Sequence, residues 1–146
     1  MRRTHPTLLM VTLATAILAA QGPAAPALGP KAVTSTTGLR YEELRVGKGA
    51  EVLETSRVRF IYTGWLASGK LFDQRVDRAR PLDMTLGQGK LVKGMEEGLV
   101  GMRVGGKRRL FIPAALAYGD RGAPPSIPPK ADLTFDVEVV GVAKGS

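Results

Sequence analysis

Apolar and polar residues alternate without a break from position 132 to 139, in the run Asp-Leu-Thr-Phe-Asp-Val-Glu-Val. A period of two puts every apolar side chain on one face of an extended chain, so this run predicts a strand with one buried face and one wet face. A sheet of such strands is antiparallel, because parallel sheets are covered on both faces and their strands read as continuous apolar runs. This alternating run constrains the possible folds of the chain more than any other feature of the sequence.

The rest of the chain adds further strands and one helix. Alternation around Val58, Phe60 and Tyr62, followed by the turn pair Ser68-Gly69, predicts a β-hairpin. Another strand is predicted from 107 to 112, ending before Pro113, which lacks a backbone donor. Only one segment has helical spacing, with apolar residues at Leu91, Val92, Met95, Leu99 and Met102 and with Glu96 and Glu97 facing away. The predicted fold is α+β, a curved antiparallel sheet that wraps one short helix.

The N-terminal residues differ in composition from the rest. Arg2 and Arg3 precede an uncharged stretch from 8 to 20, and small residues follow, as in a secretory signal peptide. We expect a signal peptide over residues 1–22, cleaved between 20 and 27, and a linker rich in Ala, Pro, Ser and Thr over 23–37. The folded domain is then 38–146, exported to the periplasm or secreted, and tethered to the membrane only if the signal segment is retained.

Composition excludes several classes of chemistry. The 146 residues contain no cysteine, and the single histidine, His5, lies in the predicted signal peptide, so thiol and histidine catalysis are both unsupported. The net charge is +8, or +6 without Arg2 and Arg3, but the basic residues are scattered. Even the cluster at 107–109 lies on a strand whose side chains alternate in direction, which favours a solvated face over a nucleic-acid site.

Three segments together predict an aromatic pocket. They are the run 64–73, the Ala-Tyr-Gly at 117–119 and the proline-rich loop 124–129. None carries a nucleophile paired with a base, a metal-ligand cluster or a phosphate-binding loop. Such a pocket acts through shape, desolvation and hydrogen bonds.

In their order and spacing these residues resemble the FKBP-type peptidyl-prolyl cis/trans isomerases over about Gly38 to Val142. The motifs that carry the resemblance are Tyr62-Thr63-Gly64, Gly69-Lys70-Leu71-Phe72-Asp73, Leu86-Gly87, Gly94-Met95-Glu96-Glu97-Gly98, Gly105-Gly106-Lys107-Arg108, Ala117-Tyr118-Gly119, Ile127-Pro128-Pro129 and Leu133-Thr134-Phe135-Asp136-Val137-Glu138. The resemblance implies an isomerase of X-Pro bonds with neither cofactor nor metal, acting on proline-containing polypeptides and inhibited by macrolides.

The resemblance also implies the site. Its catalytic residues are Tyr62, Asp73, Tyr118 and Phe135, with the Tyr118 hydroxyl bonding the substrate amide. Its substrate-binding residues are Phe72, Arg78, Leu82, Leu91, Val92, Met95 and Ile127. Among these, Arg78 is expected to pair with Asp73, the backbone N–H of Val92 to bind a substrate carbonyl, Met95 to form the floor, and Ile127 to sit on an overhanging loop.

The chain departs from the family pattern at three positions, with Met95 in place of an indole floor, Leu82 in place of a rim aromatic, and Ala123 in the loop. These changes bear more on macrolide affinity than on turnover. Two other functions stay open, a non-catalytic chaperone module that binds proline-containing chains, and a basic surface-adhesion protein. We expect a monomer, with no nucleic-acid partner and no stable membrane insertion after processing.

Overall fold

Strands β3 and β7 form the centre of a seven-stranded sheet in the computed structural model, which describes residues 25–143. The strands are β1 Val33–Thr34, β2 Arg40–Arg45, β3 Arg57–Leu66, β4 Leu71–Arg75, β5 Leu82–Thr85, β6 Lys107–Ile112 and β7 Leu133–Ala143. Within residues 25–143 the helices are α1, Lys93–Leu99, and a 3-10 turn at Ala114–Leu116. The predicted signal peptide, His5 and the last three residues lie outside the described part of the chain.

All strand pairs are antiparallel, in the order β1-β2-β6-β7-β3-β4. The far edge of β3 is shared, because its second half pairs with β4 and its first half with β5. The predicted hairpin is present as β3 and β4, and Gly69 adopts a φ of +90° in its turn. β6 ends at Ile112, immediately before Pro113, as predicted. The α+β fold with an open antiparallel sheet is therefore confirmed.

Helix α1 is shorter than the apolar stripe that predicted it. It begins after Val92 and ends at Leu99, so Met102 lies beyond its end. Two glycines on its buried face set its distance from the sheet. A Cβ on Gly94 would lie 2.3 Å from Ile112 Cγ2, and one on Gly98 would lie 2.5 Å from Leu110 Cδ1. These glycines lower helix propensity but let α1 pack directly on β6.

The core fills the space between the sheet and α1. Its largest fully buried side chains are Phe60, Leu39, Leu99, Leu110, Ile112, Leu133, Val52, Val58, Val137 and Val139. The prediction of a wet second face on β7 is wrong for Thr134 and Glu138, which are also buried. Glu138 is buried because two arginines approach its carboxylate, Arg45 at 2.6 Å and Arg78.

The basic cluster on β6 is not the solvated face that the sequence predicted. Arg108 is 7% exposed, and its guanidinium donates to the carbonyls of Gly98 at 2.9 Å and Val100 at 3.2 Å. It also donates to Glu43 at 2.7 Å and lies over the ring of Tyr41. Arg108 therefore satisfies carbonyls at the C-terminal end of α1 that have no partner within the helix.

Part of the predicted linker belongs to the fold. Val33 and Thr34 pair with β2, the Gly29 N–H donates to Glu42, and Arg109 donates to the carbonyl of Ala27 at 3.1 Å. Residues 25–34 thus lie against the sheet, and the folded part begins earlier than the predicted Gly38. Composition suggested a tether because these contacts are mostly made by backbone atoms. No helix within residues 25–143 is long and apolar enough to cross a membrane.

Candidate active site

A cavity of about 100 Å³, open to solvent, lies between the sheet and the start of α1. It is lined by Phe60, Tyr62, Phe72, Asp73, Leu82, Lys90, Leu91, Val92, Met95, Tyr118 and Phe135. The structure brings together all but two of the residues that the sequence predicted for the site; the exceptions are Arg78 and Ile127.

Three aromatic rings from neighbouring strands form the wall. Phe72 and Phe135 meet edge to face, with ring centres 5.5 Å apart and planes at 86°. Tyr62 also meets Phe135 edge to face, at 6.0 Å and 62°. The backbone of Gly64 lies against this group, since a Cβ there would be 2.7 Å from Phe135 Cε1 and 2.8 Å from Phe72 Cζ. Because Gly64 has no side chain, the two rings can pack directly against its backbone.

An irregularity in β4 brings two consecutive side chains to the cavity. Gly64 pairs with Asp73 but the next residue, Trp65, pairs with Leu71, so Phe72 is the extra residue of a β-bulge. In a regular strand consecutive side chains point to opposite faces. Here both Phe72 and Asp73 line the cavity. The bulge thus supplies an aromatic ring and a carboxylate from adjacent positions.

Asp73 holds the hydroxyl of Tyr62. The Tyr62 hydroxyl donates to Asp73 Oδ2 at 2.7 Å. Burial of the Tyr62 ring, followed by this hydrogen bond and by the negative charge of Asp73, raises the pKa of Tyr62 well above its ordinary value. Tyr62 is therefore neutral at physiological pH and is fixed in orientation as a donor to Asp73.

The expected pair between Asp73 and Arg78 is not formed. Arg78 lies in the segment 76–81 that joins β4 to β5, and its guanidinium bonds Glu138 on β7. Glu138 is the better partner because its carboxylate is buried, and water screens an ion pair there less than at the exposed Asp73. Burial of Glu138 favours a raised pKa, but the hydrogen bonds from Arg78 and Arg45 outweigh it and lower that pKa. Arg78 thus ties the segment 76–81 to the sheet.

The start of α1 supplies the floor and one side. Met95 is 4% exposed and lies beneath the cavity, where its flexible thioether takes the predicted floor position. Leu91 and Val92 are half-buried at the side. Val92 precedes the helix, and its carbonyl accepts from the N–H groups of Met95 and Glu96. Leu82, on β5, completes the opposite rim.

Tyr118 and Ile127 come from the same loop but have different surroundings. Tyr118 is 42% exposed and its side chain lines the mouth of the cavity. Ile127 is 4% exposed and belongs to the hydrophobic core, where it pairs with Ala123 through two backbone hydrogen bonds. The expectation that Ile127 overhangs the site is therefore wrong, because the loop closes on itself and buries this side chain.

Sequence reasoning missed two lining residues. Phe60 lies two positions before Tyr62 on β3, and its ring meets that of Tyr62 at 5.9 Å. The period of two could have found it. Lys90 adjoins Leu91 in the turn that follows β5, and only its position in the chain could have suggested it.

The lining offers a restricted set of chemical groups. It provides apolar and aromatic surface, the hydroxyls of Tyr62 and Tyr118, the carboxylate of Asp73 and the ammonium of Lys90. Within residues 25–143 no group of three or more His, Cys, Asp or Glu side chains is arranged to hold a metal ion. The arrangement suits a small apolar ring with a polar amide at the mouth.

Comparison with known sequences places this site in a family. The family model described as FKBP-type peptidyl-prolyl cis-trans isomerase matches residues 48–140. The chain is 47% identical over 105 residues to the FK506-binding protein of Neisseria meningitidis serogroup B, covering 72% of this chain and 96% of that protein. It is 52% identical over 87 residues to the peptidyl-prolyl cis-trans isomerase FPR2 of Saccharomyces cerevisiae, covering 59% and 64% of the two chains.

Solved structures agree in fold. FkpA from Escherichia coli superposes with a TM-score of 0.73 and 38% identity, covering 81% of this chain and 54% of FkpA. A peptidyl-prolyl cis-trans isomerase from Pseudomonas syringae gives a TM-score of 0.71 with 32% identity, covering 80% and 84%. With the aromatic cavity in the same chain, these likenesses lead to one conclusion: the protein belongs to the FKBP-type peptidyl-prolyl cis-trans isomerase family and is an isomerase of X-Pro peptide bonds.

Proposed function

We propose that this isomerase accelerates the folding of exported proline-containing proteins by binding a twisted X-Pro amide in its aromatic cavity, without a covalent step. The observation that carries the mechanism is an apolar cavity with three aromatic rings on its wall and an exposed tyrosine hydroxyl at its mouth. The exported role rests on the N-terminal sequence, where Arg2 and Arg3 precede an apolar stretch.

The energetic requirement is moderate. Amide resonance holds the peptide bond planar with a barrier of roughly 18–20 kcal/mol. X-Pro bonds exchange over tens to hundreds of seconds, slowly enough to limit folding. A ten-thousandfold acceleration needs about 5–6 kcal/mol of selective transition-state binding. An apolar cavity with one or two oriented donors can supply energies of this size.

Several of the lining groups have a part in this mechanism. The proline ring sits against Phe72, Phe135 and the buried Met95, and the amide lies towards the mouth. Twisting removes resonance and leaves the carbonyl more like that of a ketone, so an apolar surface that displaces water from the bound amide favours the twisted form over the polar planar form. The Tyr118 hydroxyl donates to the bound amide. No proton is transferred, and Asp73 acts by orienting Tyr62.

We further propose that FK506-type macrolides compete for the same cavity. Relatives of this chain carry the name FK506-binding protein. Met95 and Leu82 present narrower and more flexible surfaces than the indole and rim aromatic that the family pattern leads one to expect. We therefore expect FK506 to bind this cavity less tightly than a cavity that has the indole floor and the rim aromatic, and we expect a smaller effect on turnover. Titration with FK506 in the isomerisation assay measures the affinity directly.

The mechanism is tested by peptide isomerisation with residues 25–146. Asp73→Leu frees the Tyr62 hydroxyl and is expected to lower kcat/KM by roughly ten- to 150-fold, since a hydrogen bond to a charged group contributes roughly 1.5–3 kcal/mol. Tyr118→Phe removes a neutral donor worth about 0.5–1.5 kcal/mol and is expected to cost two- to tenfold. Glu51→Leu and Tyr41→Phe are matched controls outside the cavity. Full activity in both cavity variants, with the fold intact by circular dichroism, contradicts these roles.

Export is tested by fractionation of a bacterium that expresses the full chain. We expect the protein in the periplasm or the medium, with a mature N-terminus between residues 21 and 28 by mass spectrometry. Intact full-length protein in the cytoplasm would refute the exported role and leave the isomerase activity untouched.

A further inference from the structure

Among residues 25–143, Lys90 is the one cationic side chain that lines the cavity, and nothing in the mechanism above uses it. It is exposed and directly precedes Leu91 and Val92, which form the side of the cavity. Among residues 25–143 it makes no ion pair within 4.0 Å and no side-chain hydrogen bond, whereas several other basic side chains are paired. Its ammonium group is thus available to a bound chain.

The turn that presents Lys90 is fixed to the domain. Leu86 is buried and its N–H donates to the carbonyl of Ser56 at 2.9 Å. The N–H of Gly87 donates to Glu96 Oε1 at 3.2 Å, which ties the turn to α1. Gly87 and Gly89 both have positive φ, 83° and 69°, so the chain reverses sharply before Lys90. The backbone of Lys90 is therefore held at the rim.

The lining carries one ammonium group and one carboxylate, and the two are not paired with each other. Asp73 is the only carboxylate that the described residues place in the lining, and its Oδ2 already accepts from the Tyr62 hydroxyl. No ion pair joins Asp73 to Lys90 within 4.0 Å. An acidic substrate side chain that reaches Lys90 gains an attraction, and a basic one meets repulsion.

From these contacts we infer that Lys90 is a specificity-determining residue that favours substrates with an acidic side chain within two residues of the proline. The inference rests on the proposed use of this cavity for substrate binding. The expected effect is modest because the site is open to water. Exposed ion pairs contribute about 0.2–1 kcal/mol, which corresponds to a change of roughly 1.4- to fivefold in kcat/KM.

The experiment uses short peptides with one proline and with Glu, Lys or Ala at each of the two positions on either side. Values of kcat/KM are measured at low ionic strength for wild type, Lys90→Gln and Lys90→Glu. At one position or more, wild type is expected to prefer Glu over Lys by about two- to fivefold. Lys90→Gln removes this preference and Lys90→Glu reverses it. The wild-type preference also shrinks with added salt, since the screening length falls from about 30 Å at 0.01 M to about 8 Å at 0.15 M.

Lys93→Glu is the matched control. Lys93 carries the same charge three residues further on, is exposed, and does not line the cavity. An equal change in Lys93→Glu, or an unchanged preference in Lys90→Glu, overturns the inference. Failure of the proposed function looks different, because then even the Ala peptides are not accelerated. In that case the peptide affinities, measured by calorimetry, still give the ratio of Glu to Lys binding and decide the role of Lys90.

Discussion

Replacing Gly64 by alanine is expected to displace Phe72 and Phe135, two of the rings that form the cavity wall. The added Cβ would lie 2.7 Å from Phe135 Cε1 and 2.8 Å from Phe72 Cζ. Carbon atoms rest at about 3.5–4.0 Å, so the two rings have to retreat by roughly 0.7–0.8 Å. The residue has no positive φ, so the effect comes from crowding alone. Overpacking of this kind costs about 1–3 kcal/mol, part of it from the edge-to-face ring pair, worth about 0.5–1.5 kcal/mol.

Two measurements test this prediction for Gly64→Ala, urea unfolding for stability and peptide isomerisation for kcat/KM. We expect a stability loss of about 1–3 kcal/mol and a fall of tenfold or more in kcat/KM, because the displaced rings narrow the site. Gly101→Ala is the control, since Gly101 has a φ of +88° and open space around it. That variant is expected to lose stability through backbone strain, about 1–2 kcal/mol, and to keep its kcat/KM. Wild-type stability and turnover in Gly64→Ala would refute the reasoning.

Three further predictions concern the scaffold. Arg108→Met leaves carbonyls at the end of α1 without their donor and is expected to cost about 1–3 kcal/mol in urea unfolding; an unchanged midpoint would contradict that role. The pKa of Glu138 is lowered in the folded state, so its stabilisation is present at neutral pH and is lost as the pH falls below 4.5 towards the folded pKa. Glu138→Gln should therefore be less stable at neutral pH and lose less stability on acidification; parallel curves would count against this. A chain starting at residue 35 should be about 1–3 kcal/mol less stable than one starting at 25, because it lacks the hydrogen bonds made by residues 25–34. Equal stabilities would show that this segment contributes nothing.

The pattern of apolar and polar residues in the sequence made the main strands and the helix predictable. Period two located β3, β6 and β7, and the serine and glycine before Leu71 marked the hairpin turn, because these signals depend only on neighbours in the chain. The helix was found by its apolar stripe. Its length was overestimated because Met102 is buried after the helix has ended, and burial does not require helical backbone.

Several of the errors concern charged side chains. Whether Arg108 is solvated or buried depends on carbonyls of α1 that only the folded chain brings to it. In the same way Arg78 had two acidic partners available, and the burial of Glu138 decided between them. A charged residue on a strand indicates a solvent-exposed face only when no side chain of opposite charge pairs with it across the sheet.

The site was predictable as a set of residues but not as a shape. Motif order supplied Tyr62, Phe72, Asp73 and Phe135. Phe72 and Asp73 face the same cavity because of the bulge in β4, and no local pattern in the sequence predicts this bulge. Lys90 was missed for a related reason, since an exposed lysine in a turn is ordinary until the turn is seen at the rim of a cavity.

The strand order has a consequence for how the chain becomes an enzyme. The last strand, β7, lies between β6 and β3 and contributes Phe135 to the cavity. A growing chain that has not yet supplied residues 133–143 can form the hairpin of β3 and β4 but cannot join the two halves of its sheet. Strand pairs between segments far apart in the chain form late in folding. Closing the long loop between them costs conformational entropy before the contacts are made. Folding and activity therefore both wait for residues 133–143, which join the two halves of the sheet and supply Phe135 to the cavity.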